Sequence, residues 1–205
     1  MIYYCKELRV IEQDNKTIQN HLTKLFEQKV NVLLFQKKNI QSKLAHCLLM
    51  YATSMNGISL DYKIDNYGKP YDANKNCYFN ISHCKEAVAC ILGNSPNGID
   101  VECVIKQDCF QKIKKKVCNE KELQLLNNSK NPLVEFTKLW TFKESYLKML
   151  GTGIVGDLRN IYYEICDKSF ETLTYNDFVL TYCSNNKEYI TEVSLNEIID
   201  FIDFL

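Results

Sequence analysis

Hydrophobic positions recur along the chain with two spacings, one typical of amphipathic helices and one typical of strands. Helical spacing predicts helices at 17–29, 39–55, 106–127 and 132–150, and a last helix after Ser194. Asn39 can cap the second of these, and Pro132 and Gly151 stand at the first turn and just past the end of the fourth.

Alternating or continuously apolar segments predict the strands, at 2–10, 78–83, 87–92, 98–104, 160–166, 177–183 and 188–193. Helices and strands follow one another in mixed order rather than in strict alternation, which indicates an α+β fold. The strand that ends near residue 104 divides the chain into parts of similar size. We therefore expect an N-terminal α+β half, 1–104, and a C-terminal α+β half, 105–205.

Composition and charge narrow the class of protein. Lys and Arg together number 25 and so do Asp and Glu, so no overall field favours nucleic acid or a membrane surface. No apolar run reaches the roughly 20 residues of a membrane span, and the early charges of the N-terminus argue against a signal or transit peptide. Ten cysteines without a Cys-x-x-Cys pair, several of them in apolar stretches, favour a reducing cytoplasm over a disulfide scaffold. The three histidines show no zinc-ligand spacing.

The segment Gly98-Ile99-Asp100-Val101-Glu102 carries two acidic residues on one face of a predicted strand. Ile99 and Val101 would face the core, and Asp100 and Glu102 would project together from the other side. Two neighbouring carboxylates repel each other unless a cation lies between them, and Mg²⁺ commonly uses one or two carboxylates together with substrate phosphates. A solvent-facing strand with two acidic residues is the alternative.

A second motif lies on the predicted helix 132–150, where Trp140, Glu144 and Lys148 are four residues apart and Lys143 stands beside them. This spacing presents a carboxylate and an ammonium on one stripe of the helix. A surface salt bridge is the alternative. The single tryptophan of the chain and the Gly-Thr-Gly turn that begins at Gly151 favour a ligand site.

The predicted strand 78–83 ends in Ser82 and His83, which places a hydroxyl and an imidazole at its tip. Such a pair alone is weak evidence for a hydrolase, because no acid partner and no nucleophile-elbow glycines accompany it. A structural histidine is the alternative.

Taken in order, the Ser-His, Asp-x-Glu and Trp-x-x-Lys-Glu-Ser-x-x-Lys motifs resemble the signature of the 4'-phosphopantetheinyl transferase superfamily. The length and the Tyr67-Gly68-Lys69-Pro70 segment resemble the longer, monomeric branch that activates nonribosomal peptide synthetases such as surfactin synthetase. The resemblance runs from about Gly68 to Gly153. It implies a Mg²⁺-dependent enzyme that moves phosphopantetheine from coenzyme A to a serine of an apo acyl or peptidyl carrier protein and releases 3',5'-ADP.

The resemblance also implies roles for the motif residues. Asp100, Glu102 and Glu144 resemble the Mg²⁺ ligands, and Glu144 is also expected to be the base that takes the serine proton. Lys148 resembles the lysine at the pyrophosphate, where it would stabilise developing charge. Together with Glu144 and Lys148, His83 is expected to be a catalytic residue.

Contacts with coenzyme A follow from the same resemblance. Ser82 and His83 resemble residues that contact its phosphates, and Lys69, followed by Pro70, resembles an adenine and phosphate contact. The 3'-phosphate would bind basic residues of the N-terminal half, for which the chain offers Lys37, Lys38 and Lys43. Glu122 resembles the family acid ahead of the second helix, with a plain surface acid as the alternative.

At the level of the whole molecule, the resemblance implies two similar α+β halves related by pseudo-twofold symmetry, an active site in the cleft between them, and a monomer. The lysine-rich segment 111–116 would suit an acidic carrier protein, with a solvated helix face as the alternative. Nucleic-acid binding is not expected, because the lysines are not interleaved with aromatic residues.

The sequence alone leaves three alternative functions open. The first is an activator of fatty-acid synthesis, which would catalyse the same reaction on another carrier. The second is a catalytically idle coenzyme A-binding or carrier-docking protein on the same fold. The third is a Ser-His hydrolase, in which Ser82 would be the nucleophile.

Overall fold

The structure is a computed structural model that describes residues 1–6, 8, 39–65, 68–153, 156–165 and 167–205. The predicted helix 17–29 and the predicted contacts Lys37 and Lys38 lie outside these residues. The helices are α1 (Ile40–Met55), α2 (Gln107–Val117), α3 (Glu120–Asn128), α4 (Pro132–Leu150) and α5 (Leu195–Phe204). The strands are β1 (Ile2–Cys5), β2 (Tyr62–Ile64), β3 (Pro70–Asp72), β4 (Tyr78–His83), β5 (Val88–Gly93), β6 (Gly98–Cys103), β7 (Ser169–Thr174), β8 (Phe178–Ser184) and β9 (Ile190–Glu192). This mixture of helices and strands confirms the predicted α+β class.

Three sheets organise the described residues. The first has the order β4-β5-β1-β9, the second pairs β2 with β3, and the third has the order β6-β8-β7. In the first sheet β9 runs parallel to β1, whereas the other pairs are antiparallel. Segments from both sides of residue 104 therefore meet in two of the sheets. The division at residue 104 and the pseudo-twofold symmetry stay predictions.

Strand β5 is apolar at nearly every position because both of its faces are covered. Val88, Cys90 and Leu92 join a core that α1 and α5 cover, and Ala89 and Ile91 join a core shared with β6 and β8. Alternation along one strand thus distributes its side chains between two cores.

Helix α4 packs on β6 and β8 and is the element that positions the site. It begins at Pro132 and ends at Leu150, and Gly151 follows as predicted, with a φ of 73° that is the left-handed C-cap conformation. Gly98 at the start of β6 permits the close approach, since a Cβ there would lie 2.0 Å from the carbonyl oxygen of Ser145. Any other residue at position 98 would push the helix away from the strand.

Two predicted elements were wrong. The single helix 106–127 is two helices, because Cys118 is extended and the Asn119 side chain starts α3 with a capping box completed by Glu122. The predicted strand 160–166 is instead two short 3₁₀ turns, Leu158–Asn160 and Tyr163–Ile165, and residue 166 lies outside the described residues. The ring of Tyr163 stacks 3.8 Å from that of Phe142, which holds this segment against α4 rather than in a sheet.

The predicted strand 2–10 is shorter in the structure, where β1 ends at Cys5, and residues 7, 9 and 10 lie outside the described residues. The other predicted strands and the last helix agree with prediction to within a few residues, although β2, β3 and β7 were missed. Ser194 caps α5 through a capping box with Glu197. None of the helices in the described part of the chain has the length and apolar character that a membrane crossing requires.

Candidate active site

The acidic strand β6 and the lysine of α4 meet in an ion pair whose carboxylate is buried and whose ammonium is partly exposed. The Lys148 ammonium lies 2.6 Å from Asp100 Oδ1 and donates a further bond of 3.1 Å to the carbonyl oxygen of Ile99. Asp100 is only 3% exposed, so its charge is almost wholly removed from water. A buried carboxylate needs such a partner, and the surface salt bridge that the spacing alone allowed is excluded for Lys148.

Ser82 joins this pair from β4. Its hydroxyl donates to Asp100 Oδ1 at 3.1 Å and accepts from Lys148 at 3.0 Å and from the backbone N–H of Val101 at 3.2 Å. One donor and two acceptor positions are all that a hydroxyl has, so each is used. Ser82 is therefore arranged as a bridge between strand and helix, and its proton points to a carboxylate rather than to a catalytic base.

Glu102 and Glu144 belong to the same electrostatic group. Burial first, and then the Asp100 carboxylate, raise the pKa of Glu102 from 4.5 to about 7, while Lys148 acts in the opposite direction. Burial and Asp100 likewise raise the pKa of Glu144, again opposed by Lys148. Three carboxylates therefore share one region with an ammonium that pairs directly with Asp100.

The second carboxylate oxygen of Asp100, Oδ2, is buried and has no hydrogen-bond partner. An unpartnered buried carboxylate oxygen is costly unless it binds something. Within the described residues, no three His, Cys, Asp or Glu side chains are arranged as a complete metal site. The donor set nevertheless fits a hard divalent cation, because Asp100 Oδ2 is unused and the acids around it repel one another.

Lys69 lies against the C-terminal end of α4. Its ammonium donates 2.7 Å to the carbonyl oxygen of Lys148 and would lie 3.3 Å from a Cβ at Gly151. Burial lowers the pKa of Lys69, and the Asp65 carboxylate offsets part of that effect. The Gly-Lys-Pro turn and the Gly-x-Gly tail, which are far apart in sequence, thus meet at one end of the helix.

The other predicted residues are placed as follows. His83 is exposed at the end of β4, directly after Ser82, and Pro70 is half-buried at the start of β3. Lys43 is half-buried in the first turn of α1. Their roles stay predictions.

Lys143, for which sequence reasoning found no role, is 1% exposed and lies within a junction of four segments. It donates to Glu122 at 2.7 Å, to the Val117 carbonyl oxygen at 2.7 Å and to the Leu158 carbonyl oxygen at 3.1 Å. Glu122 is also buried, so the reading of a plain surface acid was wrong. The sequence signal for this position of Glu122 was the capping box, in which its side chain accepts from the backbone N–H of Asn119.

A cavity of about 210 Å³ opens beside Glu102, between the end of β6 and helices α2 and α4. Its lining combines the Glu102 carboxylate with mainly apolar side chains, among them Trp140, Phe136 and Ile113. The tryptophan of the second motif therefore lines a hollow next to the acidic pair.

Comparison with known proteins confirms the resemblance predicted from the motifs. Residues 96–194 match the model of the 4'-phosphopantetheinyl transferase superfamily, a range that contains both β6 and α4. The chain is 35% identical over 132 residues to the 4'-phosphopantetheinyl transferase gsp of Aneurinibacillus migulanus, which covers 63% of this chain and 51% of that protein. It is 32% identical over 108 residues to the 4'-phosphopantetheinyl transferase Sfp of Bacillus subtilis strain 168, an alignment that covers 47% of this chain and 48% of that protein.

A yeast protein aligns over a longer stretch at lower identity. The L-aminoadipate-semialdehyde dehydrogenase-phosphopantetheinyl transferase of Saccharomyces cerevisiae is 25% identical over 185 residues, which covers 73% of this chain and 68% of that protein. The chain spans about half the length of the gsp and Sfp proteins that it matches.

Proposed function

Residues 96–194 of this chain match the 4'-phosphopantetheinyl transferase superfamily, and from that premise we propose that it moves phosphopantetheine from coenzyme A to a serine of an apo carrier protein. The observation that carries the proposal is the convergence of Asp100, Lys148 and Ser82, with an unused carboxylate oxygen at its centre. Three motifs from different elements meet there, as a shared phosphate site requires.

Asp100, Glu102 and Glu144 are the residues that would hold Mg²⁺. When bound, the ion supplies positive charge to the coenzyme A pyrophosphate and to the leaving 3',5'-ADP. The raised pKa values of Glu102 and Glu144 support this assignment, because they report carboxylates whose charges lack compensation in the protein alone.

Lys148 and Glu144 would carry the proton and charge changes. The Lys148 ammonium would stabilise negative charge on the pyrophosphate oxygens, since it is buried enough for its field to be strong. Glu144 would accept the proton of the carrier serine, and its raised pKa makes it a better base than an ordinary carboxylate.

Coenzyme A would contact residues from the N-terminal part of the chain. His83 would bind a phosphate oxygen, and Ser82 would do so by turning its hydroxyl proton from Asp100 to the phosphate. Lys69 and Pro70 would lie against the adenine and its phosphates, and Lys43 would contribute to the 3'-phosphate. The position of Lys69 beside the end of α4 supports its assignment to the same site as Lys148.

The partner would be an acidic acyl or peptidyl carrier protein of nonribosomal peptide, polyketide or fatty acid synthesis. Lys112, Lys115 and Lys116 are exposed on α2, which also lines the cavity beside Glu102. Charge complementarity would favour docking on this face. We further propose that the enzyme acts in the cytoplasm as a monomer.

The experiment is a transfer assay with coenzyme A, MgCl₂ and several apo carrier proteins, in which the carriers are weighed by mass spectrometry. We expect a mass gain of one phosphopantetheine, lost with EDTA and in Asp100→Asn. Asp108→Asn, which alters an exposed acid of α2, is the matched control and should transfer normally. Coenzyme A binding without transfer to any carrier would favour the idle binding protein and reject the proposal.

A further inference from the structure

Strands β4 and β6 belong to different sheets, but they lie side by side through a regular ladder of side chains. The Asn80 side-chain oxygen accepts from the Ile99 N–H at 3.1 Å, and two residues further along Ser82 accepts from the Val101 N–H. The next positions of the same alternation are Cys84 and Cys103. Their two thiols influence each other electrostatically, and both border the core between the sheets.

Access differs between the two thiols. Cys103 is half-buried and lines the cavity of about 210 Å³ that also contains Glu102 and Trp140. Cys84 is buried, at 9% exposure. A small oxidant that enters the cavity would therefore reach Cys103 first, and Cys84 is placed to react with the product.

We propose that Cys84 and Cys103 form a redox site that reacts with a hydroperoxide and closes into a disulfide, and that the disulfide regulates the neighbouring active site. The Cys103 sulfur attacks an oxygen of the hydroperoxide, the O–O bond breaks, and water or an alcohol leaves. The Cys84 sulfur then attacks the sulfenic acid, an S–S bond forms, and the S–O bond breaks with release of water. Two thiols lose two electrons and two protons, and one hydroperoxide is reduced.

The regulatory part rests on the proposed function. Cys103 directly follows Glu102, and Cys84 directly follows His83. A disulfide requires a sulfur separation of about 2 Å, which is shorter than any non-covalent contact between two thiols. Its formation therefore tethers the ends of β4 and β6 to each other and constrains the backbone that carries Glu102. A constraint that misplaces a reacting group by about 1 Å lowers the rate of an enzyme by about 100-fold.

Peptide mapping tests the redox site itself. The full-length reduced protein is treated with hydrogen peroxide, remaining thiols are alkylated, and trypsin cuts after Lys75, Lys85 and Lys106. The disulfide should join peptides 76–85 and 86–106 with the loss of two hydrogens. Because Cys77 and Cys90 lie in the same peptides, fragment spectra must assign the link to Cys84 and Cys103.

Variants separate the two steps. Cys84→Ser should leave a Cys103 sulfenic acid that dimedone traps, and Cys103→Ser should give neither dimedone adduct nor disulfide. Cys109→Ser, which removes an exposed cysteine of α2, should oxidise like the wild type. A link between Cys77 and Cys90, or oxidation that leaves Cys84 and Cys103 alkylated as thiols, would overturn the redox site.

The transfer assay tests the regulation. Reduced protein is assayed first, so absence of transfer there rejects the proposed function without bearing on the disulfide. Oxidised wild type should lose activity by about 10-fold or more and regain it with dithiothreitol. The Cys84→Ser, Cys103→Ser double variant should keep its activity after peroxide. Full activity of the disulfide form would overturn the regulation.

Discussion

Lys148 is the residue on which the charge balance of the site depends. It is the direct partner of Asp100, and its field opposes the burial and the Asp100 repulsion that raise the pKa values of Glu102 and Glu144. The same ammonium also bonds to Ser82. Removal of the charge would therefore change three carboxylates at once, whereas removal of an exposed lysine changes little.

Replacement of Lys148 by methionine should lower the rate of phosphopantetheine transfer by about 100- to 1,000-fold, because the proposed function makes Lys148 a positioned donor to the pyrophosphate. Lys138→Met is the matched control, since Lys138 lies on the same helix in a surface pair with Glu135. The measurement is the initial rate of carrier modification, with thermal unfolding as a check on folding. A Lys148→Met enzyme as fast as the control would remove Lys148 from the mechanism.

The raised pKa of Glu102 predicts that the stability of the protein depends on pH. Its pKa is raised in the folded state, from 4.5 to about 7, so folding disfavours its ionised form. The contribution of this group to stability is therefore most favourable below pH 4.5 and falls as the pH rises through about 7. Relative to Glu102→Gln, the wild type should lose several degrees of melting temperature over that interval.

Added MgCl₂ extends this test. Above pH 7 a divalent cation should raise the melting temperature of the wild type and leave Glu102→Gln nearly unchanged, because a bound cation compensates the carboxylates. Exposed Glu120 supplies the matched control variant, Glu120→Gln. If the melting temperatures of the wild type and of Glu102→Gln changed with pH in the same way, the raised pKa of Glu102 would be contradicted.

At the scale of elements, the contact between α4 and β6 converts two sequence motifs into one site. Gly98 opens β6 at the place where the backbone of α4 comes closest. Two residues further along the strand stands Asp100, and three residues along the helix from Ser145 stands Lys148. The glycine is thus part of the site although it supplies no chemical group.

Replacement of Gly98 by alanine should destabilise the protein by about 3 kcal/mol, since the added methyl group meets helix backbone rather than a movable side chain. Gly93→Ala is the matched control, because a Cβ there meets the Asn97 side chain at 3.2 Å. Its cost should stay below about 1 kcal/mol. Urea unfolding of the two variants measures the difference, and equal midpoints would contradict the close approach.

The Lys143–Glu122 pair fixes the other side of α4. Lys143→Met should cost about 3–5 kcal/mol, because it leaves Glu122 buried without its cation. The double variant Lys143→Met, Glu122→Leu should recover a large part of this loss, since no unpaired charge remains. A double-mutant cycle in urea measures the coupling, with the surface pair Lys138–Glu135 expected to couple by less than about 1 kcal/mol. Additive effects at Lys143 and Glu122 would show that the pair does not couple.

The sequence predicted those features that depend on local pattern. Helix α4 has the predicted bounds because Pro132 and Gly151 are local signals, and the grouping of Asp100 with Glu102 follows from strand alternation. The family motifs indicated which side chains are candidates for the site. The Asn119 cap was equally local, and it was overlooked inside a long helical pattern.

Features that depend on distant partners could not be predicted in this way. The segment near Tyr163 has strand-like alternation, but its ring stacks on Phe142 of α4 and the neighbouring segment forms β7 instead. Lys143 was unassigned because its three partners lie 15 to 26 residues away in the chain. Contacts of this kind exist only once the helices have packed.

At the scale of the whole molecule, the two predicted halves exchange structure. Strand β9 of the C-terminal half adds to β1, and Val193, Ile198 and Ile202 fill the core that α1 covers. In the other direction, β6 of the N-terminal half pairs along its full length with β8. Each half therefore completes a sheet of the other.

This exchange predicts that the halves do not fold separately. A fragment of residues 1–104 lacks β9 and α5 and would expose a core that is buried in the full chain, and a fragment 105–205 lacks β6, one of the two strands that pair with β8. Each fragment alone should unfold without a cooperative thermal transition, whereas the full chain should show a single transition. Circular dichroism with temperature measures both, and mixing the fragments should restore part of the transition because the exchanged strands can then pair. A cooperative transition in fragment 1–104 alone would show that its core is complete without β9 and α5, and the proposed boundary would then separate true folding units.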